Sequence, residues 1–125
     1  MRDAVSIGLV GCGEWGKHIL RDLCTLGCEV AVVCRSAVSW KRAVDGGANS
    51  IVKHLSDLPP VQGVVVATPT STHFDVTQEL LDRKVPIFVE KPITNSTKQA
   101  KALLKAAPEL IFVMDKWRYH AGVEA

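Results

Sequence analysis

Val10-Gly11-Cys12-Gly13-Glu14-Trp15-Gly16 separates an apolar run from a stretch in which Ile19, Leu20, Leu23 and Leu26 recur at helical spacing. The run, Val5 to Val10, is broken only by Ser6 and Gly8 and reads as a buried strand. The seven residues therefore turn a strand into a helix, which is the context that G-x-G-x-x-G requires. Gly11 permits the tight turn, Gly13 lets the backbone approach a pyrophosphate, and Gly16 lets helix and strand pack closely. The amides at the helix start, helped by the macrodipole, favour an anion there. An ordinary glycine-rich turn without a ligand is the competing reading. The strand before and the helix after it favour a nucleotide.

Further along, apolar runs and amphipathic stretches alternate. The first helix is expected from Glu14 to Leu26, stopping at Gly27. Val30 to Cys34 reads as a second strand, buried on both faces as parallel strands are. Ser39 is a candidate cap for a short helix carrying Trp40, Ala43 and Val44, ended by Gly46-Gly47. Ile51-Val52 is a short third strand, and Ser56-Asp57-Leu58-Pro59-Pro60 a turn in which the prolines forbid regular structure. Val64 to Ala67 is the fourth strand. A helix follows with Val76, Leu80 and Leu81 on its buried face, closing near Lys84. Ile87-Phe88-Val89 is the fifth strand. Asn95 or Ser96 caps a helix with Ala100, Leu103 and Leu104 inward, and Leu110 to Met114 is the sixth strand.

This alternation predicts an α/β fold with a doubly wound parallel sheet of about six strands in the order 3-2-1-4-5-6, the Rossmann arrangement. Its 125 residues suit a single domain. Polar clusters follow the strands, at Gly11, Arg35, Thr68, Glu90 and Lys116. In open α/β sheets ligands bind at the carboxyl ends of strands, so these clusters are expected to converge.

Composition narrows the function. Hydrophobic residues make up 47 % and charged ones 22 %, a globular balance. A net charge of +2 with no basic run argues against nucleic acid. No stretch approaches the ~20 apolar residues of a membrane span. Met1-Arg2-Asp3 leads into the first strand without the apolar core of a signal peptide, so a cytoplasmic location is the default expectation. Cys12, Cys24, Cys28 and Cys34 lack a paired C-x-x-C knuckle, and they read as free, mostly buried thiols rather than metal ligands.

In NAD-binding sheets the second strand ends in an acid that holds the ribose 2′-OH. Cys34-Arg35-Ser36 stands there instead. An arginine fork suits a 2′-phosphate, Ser36 adds a hydroxyl donor, and Lys41 or Arg42 could lie close enough to help. NADP is therefore favoured, with NAD as the alternative, since an arginine can also stack on adenine. Glu90-Lys91-Pro92 is the second cluster. Pro92 restrains Lys91 to extended geometry, and an ammonium held there can assist proton transfer at a hydroxyl or carbonyl. A surface ion pair is the simpler alternative.

The combination resembles the N-terminal domain of the Gfo/Idh/MocA oxidoreductase family. Three stretches carry the likeness: Val10 to Gly16, Ala67-Thr68-Pro69-Thr70-Ser71-Thr72-His73, and Val89-Glu90-Lys91-Pro92-Ile93. The resemblance implies that Thr68, Pro69 and His73 line the cofactor pocket and that Glu90 and Lys91 sit beside the nicotinamide; Gly11, Gly13, Glu14, Trp15, Gly16, Arg35 and Ser36 complete the cofactor-binding candidates, although Cys34-Arg35-Ser36 departs from the acid that NAD-using members commonly carry there. The resemblance also implies that Lys91 is the catalytic residue, contacting the substrate hydroxyl or the nicotinamide ribose. Arg118 and His120 follow the sixth strand, towards the substrate cleft, with no tight motif to fix them.

The implied activity is hydride transfer between NADP, or NAD, and a secondary alcohol of a sugar, sugar derivative or cyclitol. The family also has a C-terminal substrate domain, with a catalytic aspartate and histidine, that residues 1–125 do not include. The implied partners are the dinucleotide, a sugar-like substrate, and a second copy or another chain that supplies the missing domain. A dinucleotide-binding sensor or subunit without catalysis of its own is the alternative.

Overall fold

The computed structural model of the chain describes residues 4–90 and 96–114. Its elements alternate: β1 (Ser6–Val10), α1 (Gly16–Thr25), β2 (Glu29–Val33), α2 (Ala37–Asp45), β3 (Ser50–Val52), β4 (Gly63–Val66), α3 (His73–Leu80), β5 (Ile87–Glu90), α4 (Thr97–Ala106) and β6 (Ile111–Met114). The six strands are ordered β3-β2-β1-β4-β5-β6, the doubly wound Rossmann order expected from the alternation. The chain gathers into two compact units, the first ending at Thr68 and the second beginning at Pro69.

In the first unit β1 lies between β2 and β4, with all pairings parallel and Val10 in register with Val33 and Val66. Parallel strands in this position need apolar side chains on both faces. Leu9, Val30, Val32, Val64 and Val66 accordingly have no exposure. Helix α1 lays Leu20 inward and α2 lays Ala43 inward. Both helices end in the same pair of reversed bonds: Gly27 N–H to Cys24 O with Cys28 N–H to Leu23 O, and Gly47 N–H to Val44 O with Ala48 N–H to Ala43 O.

Several expected boundaries move. Helix α1 starts at Gly16 rather than Glu14, because residues 13–15 form a turn whose carbonyls draw the first amides back: Lys17 N–H reaches Gly13 O and His18 N–H reaches Trp15 O. Strand β2 is Glu29–Val33, so Cys34 lies past its end, although Cys34 N–H still reaches Val52 O at 3.0 Å. Ser36, not Ser39, caps α2. Its extended backbone aims the hydroxyl oxygen at the Ser39 amide, which donates to it at 3.0 Å. Strand β4 is Gly63–Val66 and leaves out Ala67. Val44 is 58 % exposed, because a nine-residue helix with Ala43 facing the sheet turns its neighbour out by about 100°. The region around Ser56 opens with one 3-10 turn, Leu55–Asp57, before the prolines.

Ser36→Ala is expected to lower stability by about 1 kcal/mol through loss of this cap. Thermal unfolding of the variant measures it; an unchanged midpoint would show that the cap contributes nothing.

In the second unit β5 and β6 pair in parallel, with Ile87 opposite Ile111 and Phe88 opposite Phe112. The two phenylalanines stack at 5.2 Å between ring centres. Ile87, Val89 and Ile111 are buried. The buried residues of α3 are His73, Thr77 and Leu80 rather than Val76, Leu80 and Leu81, because the helix begins at His73 and gives way to a 3-10 turn at Leu81–Arg83. Ser96 caps α4 by accepting the Gln99 amide, and of its expected inward residues Leu103 is buried while Leu104 is 40 % exposed. Among the described residues no helix is long and apolar enough to cross a membrane.

Candidate functional site

The glycines of the first turn differ sharply in their surroundings. Gly11 leaves β1 with φ +94°, while its amide still donates to Val33 O at 2.8 Å. A Cβ built there would lie 2.8 Å from Ala67 O and 3.0 Å from Thr68 Cγ2. A Cβ on Gly16 would lie 2.6 Å from Gly11 O. Around Gly13 a Cβ would meet nothing within 4 Å. Two glycines are thus demanded by the chain's own backbone, and the third leaves open space. That space is what a pyrophosphate needs to reach the backbone, so the loop fits a dinucleotide. The amides of Gly13, Glu14 and Gly16 have no backbone acceptor among the described residues, as expected at a helix start.

Glu14 and Trp15 stand in the same turn. The Glu14 carboxylate accepts from Arg42 at 2.6 Å and pairs with Lys17 at 3.3 Å. The hydrogen bond and charge of Lys17, then the charge of Arg42, hold its carboxyl below the usual carboxylate range. Arg42 is therefore engaged beside the glycine loop. Trp15 is 45 % exposed, with its ring edge-on to His18 at 6.3 Å.

Past β2, Arg35, Ser36, Ala37, Trp40, Lys41 and Lys53 line an open cleft of about 430 Å³. Arg35 Nε donates to Lys53 O at 3.2 Å, which leaves the terminal guanidinium nitrogens available. Ser36 Oγ accepts from Ser39, and its own hydrogen remains available to a ligand. Lys41 pairs with Asp45 at 2.7 Å, and that hydrogen bond raises its ammonium above the ordinary lysine value. No acid lines this cleft.

Of the other expected site residues, Thr68 abuts Gly11 in the first unit. Pro69, His73 and Glu90 belong to the second unit. The Pro69 carbonyl accepts both the amide and the hydroxyl of Thr72, at 2.9 and 2.7 Å. His73 is 1 % exposed at the start of α3, and Glu90 is half-buried at the end of β5. Lys91, Arg118 and His120 lie outside the described residues. Lys53 and Trp40 line the cleft without having been singled out as site residues. The rule that polar residues after a strand form the site also covers Lys53, which directly follows Val52.

The thiols of this edge are Cys12, within the glycine loop, and Cys34, before Arg35; both are buried. Burial, and behind it the neighbouring Cys34, push the Cys12 thiol up; burial pushes Cys34 up. Alkylation by iodoacetamide near pH 8 is expected to be roughly tenfold slower or more at these two than at half-exposed Cys24 and Cys28. Peptide mass spectrometry reads the order; equal rates would mean that the loop opens freely. Among the described residues no cluster of His, Cys, Asp or Glu is arranged to hold a metal.

Residues 5–113 match the family model GFO_IDH_MocA, the oxidoreductase family with an NAD-binding Rossmann fold. UDP-N-acetylglucosamine 3-dehydrogenase of Acidithiobacillus ferrooxidans is 40 % identical over 111 residues, covering 86 % of this chain and 34 % of the relative. An uncharacterised oxidoreductase of Escherichia coli, YdgJ, is 32 % identical over 115 residues, covering 88 % of this chain and 33 % of its own. The solved WlbA dehydrogenase of Bordetella pertussis, in complex with NADH and UDP-GlcNAcA, superposes with a TM-score of 0.82 at 25 % identity, over 98 % of this chain and 41 % of that one. The chain spans about a third of the length of most of the curated relatives it matches, these two among them.

Proposed function

Because the chain belongs to the Gfo/Idh/MocA oxidoreductase family, within which it forms the NAD-binding Rossmann fold, we propose that it binds NADP in preference to NAD. We propose further that it serves hydride transfer with a secondary alcohol of a sugar, sugar derivative or cyclitol. The observation that carries the cofactor preference is the cleft past β2, where Arg35, Lys41 and Lys53 meet with no acid among them. A carboxylate there would accept the two ribose hydroxyls and repel a 2′-phosphate; cations do the opposite. The sugar class is supported by the relative and the neighbour whose names carry a UDP-sugar.

When bound, the dinucleotide supplies or accepts the hydride. The residues of the chain hold it in place. The open backbone at Gly13 and the first amides of α1 take the pyrophosphate, and the Arg35 fork with the Ser36 hydroxyl takes the 2′-phosphate. In this reading Lys91, after β5, holds the proton exchanged with the substrate hydroxyl. The resemblance to the family assigns Thr68, Pro69 and His73 to the cofactor pocket and Glu90 to the nicotinamide.

Thermal stability with and without cofactor tests the reading. At 100 times its Kd, a dinucleotide adds about 2.7 kcal/mol of stability. NADP is expected to raise the midpoint more than NAD at equal concentration. A larger shift with NAD would overturn the preference, and no shift with either would overturn dinucleotide binding.

A further inference from the structure

We propose that Lys53 is a second specificity-determining residue for the cofactor's 2′-phosphate, its ammonium meeting the phosphate and its carbonyl positioning Arg35. This rests on the NADP reading above. The placement follows from the strands. Cys34 N–H donates to Val52 O at 3.0 Å, so the chain leaving β2 runs beside the chain leaving β3, with Cys34 level with Lys53 and Arg35 one residue beyond. The guanidinium is then tied by Nε to the Lys53 carbonyl at 3.2 Å. An arginine bound through Nε presents the edge formed by its two terminal nitrogens, the edge that pairs with two oxygens of one phosphate.

The three cations of the cleft are not equivalent. Lys41 is committed to Asp45 at 2.7 Å. Arg35 is anchored and oriented. Lys53 makes no ion pair among the described residues, and it lines the same cleft. Its ammonium is therefore the one long, unneutralised cation able to close on a phosphate held by Arg35. A lysine acts there as a mobile point charge beside the rigid arginine fork. The two roles are separable: substitution removes the ammonium and leaves the carbonyl that orients Arg35.

Calorimetric titration with adenosine 2′,5′-bisphosphate and with 5′-AMP tests the proposal. Lys53→Met keeps most of the aliphatic stem, and because the residue is exposed the thermal midpoint is expected to hold. The variant is expected to bind the bisphosphate roughly tenfold more weakly, with AMP unchanged and Lys53→Arg restoring most of the loss. If Lys53→Met binds the bisphosphate like the parent while Arg35→Ala does not, Lys53 has no such role and the NADP reading stands. If Lys53→Met weakens AMP equally, the ammonium does not read the 2′-phosphate, and the proposal falls. If the parent chain itself fails to favour the bisphosphate over AMP, the NADP reading fails and takes this proposal with it.

Discussion

Alanine in place of Gly11 is expected to destabilise the chain by about 3 kcal/mol, lowering the thermal midpoint by roughly 10 °C. Two costs combine. The residue sits at φ +94°, where an L side chain is strained, and its Cβ would come within 2.8 Å of the Ala67 carbonyl. That neighbour is backbone just past the end of β4 and cannot swing aside as a side chain tip would. Gly16→Ala is expected to behave alike, since its Cβ would press to 2.6 Å on Gly11 O. Gly13→Ala is the contrast. Nothing lies within 4 Å of its Cβ, so stability is expected to stay within about 0.5 kcal/mol. Dinucleotide affinity, however, is expected to fall at least about tenfold, because the methyl group occupies the space through which the pyrophosphate approaches. Unfolding curves and cofactor titrations on the three variants separate the two tasks. A Gly13→Ala chain that binds normally would show that the open space is not the ligand's.

Arg35→Ala is expected to weaken NADP by roughly 10- to 100-fold while changing NAD by no more than about threefold. The lower end allows for the solvent exposure of the cleft, where charge pairs are screened. The same screening makes a second signature: added salt is expected to erode NADP binding more steeply than NAD binding in the parent chain, and to do so less in the variant. Equal losses for both cofactors would assign Arg35 to stacking on the adenine, which the two share.

The strands were legible because their chemistry is redundant. Val30 to Val33, three valines and one alanine, and Val64 to Val66 are apolar runs with no polar face, and a run of that kind has few uses besides a buried parallel strand. The glycine loop was legible because spacing alone separates the tasks of Gly11, Gly13 and Gly16, and the surroundings of each agree with it. Helix faces were harder. In short helices one residue decides which way the wheel is turned, and adjacent apolar residues compete for it, as Ala43 with Val44 and Leu103 with Leu104. The Ser36 cap was not legible, since two serines three apart offer the same chemistry and backbone geometry chooses between them. Lys53 escaped notice because β3 is only three residues long and the lysine after it stands alone. Its proximity to Arg35 is a tertiary fact, created by the pairing of β2 with β3. Lys91 rests on its motif, since it lies outside the described residues.

The protonated thiols of Cys12 and Cys34 bear on the electrostatics of the whole edge. A thiolate at Cys12 would set a negative charge into the loop that has to receive a dianionic diphosphate, and one at Cys34 would neutralise the arginine next to it in the chain. Burial pushes both thiols up and so disfavours their charged forms. The packing that buries these sulfurs thereby disfavours a negative charge in the glycine loop and beside Arg35, and so works with an anionic ligand rather than against it.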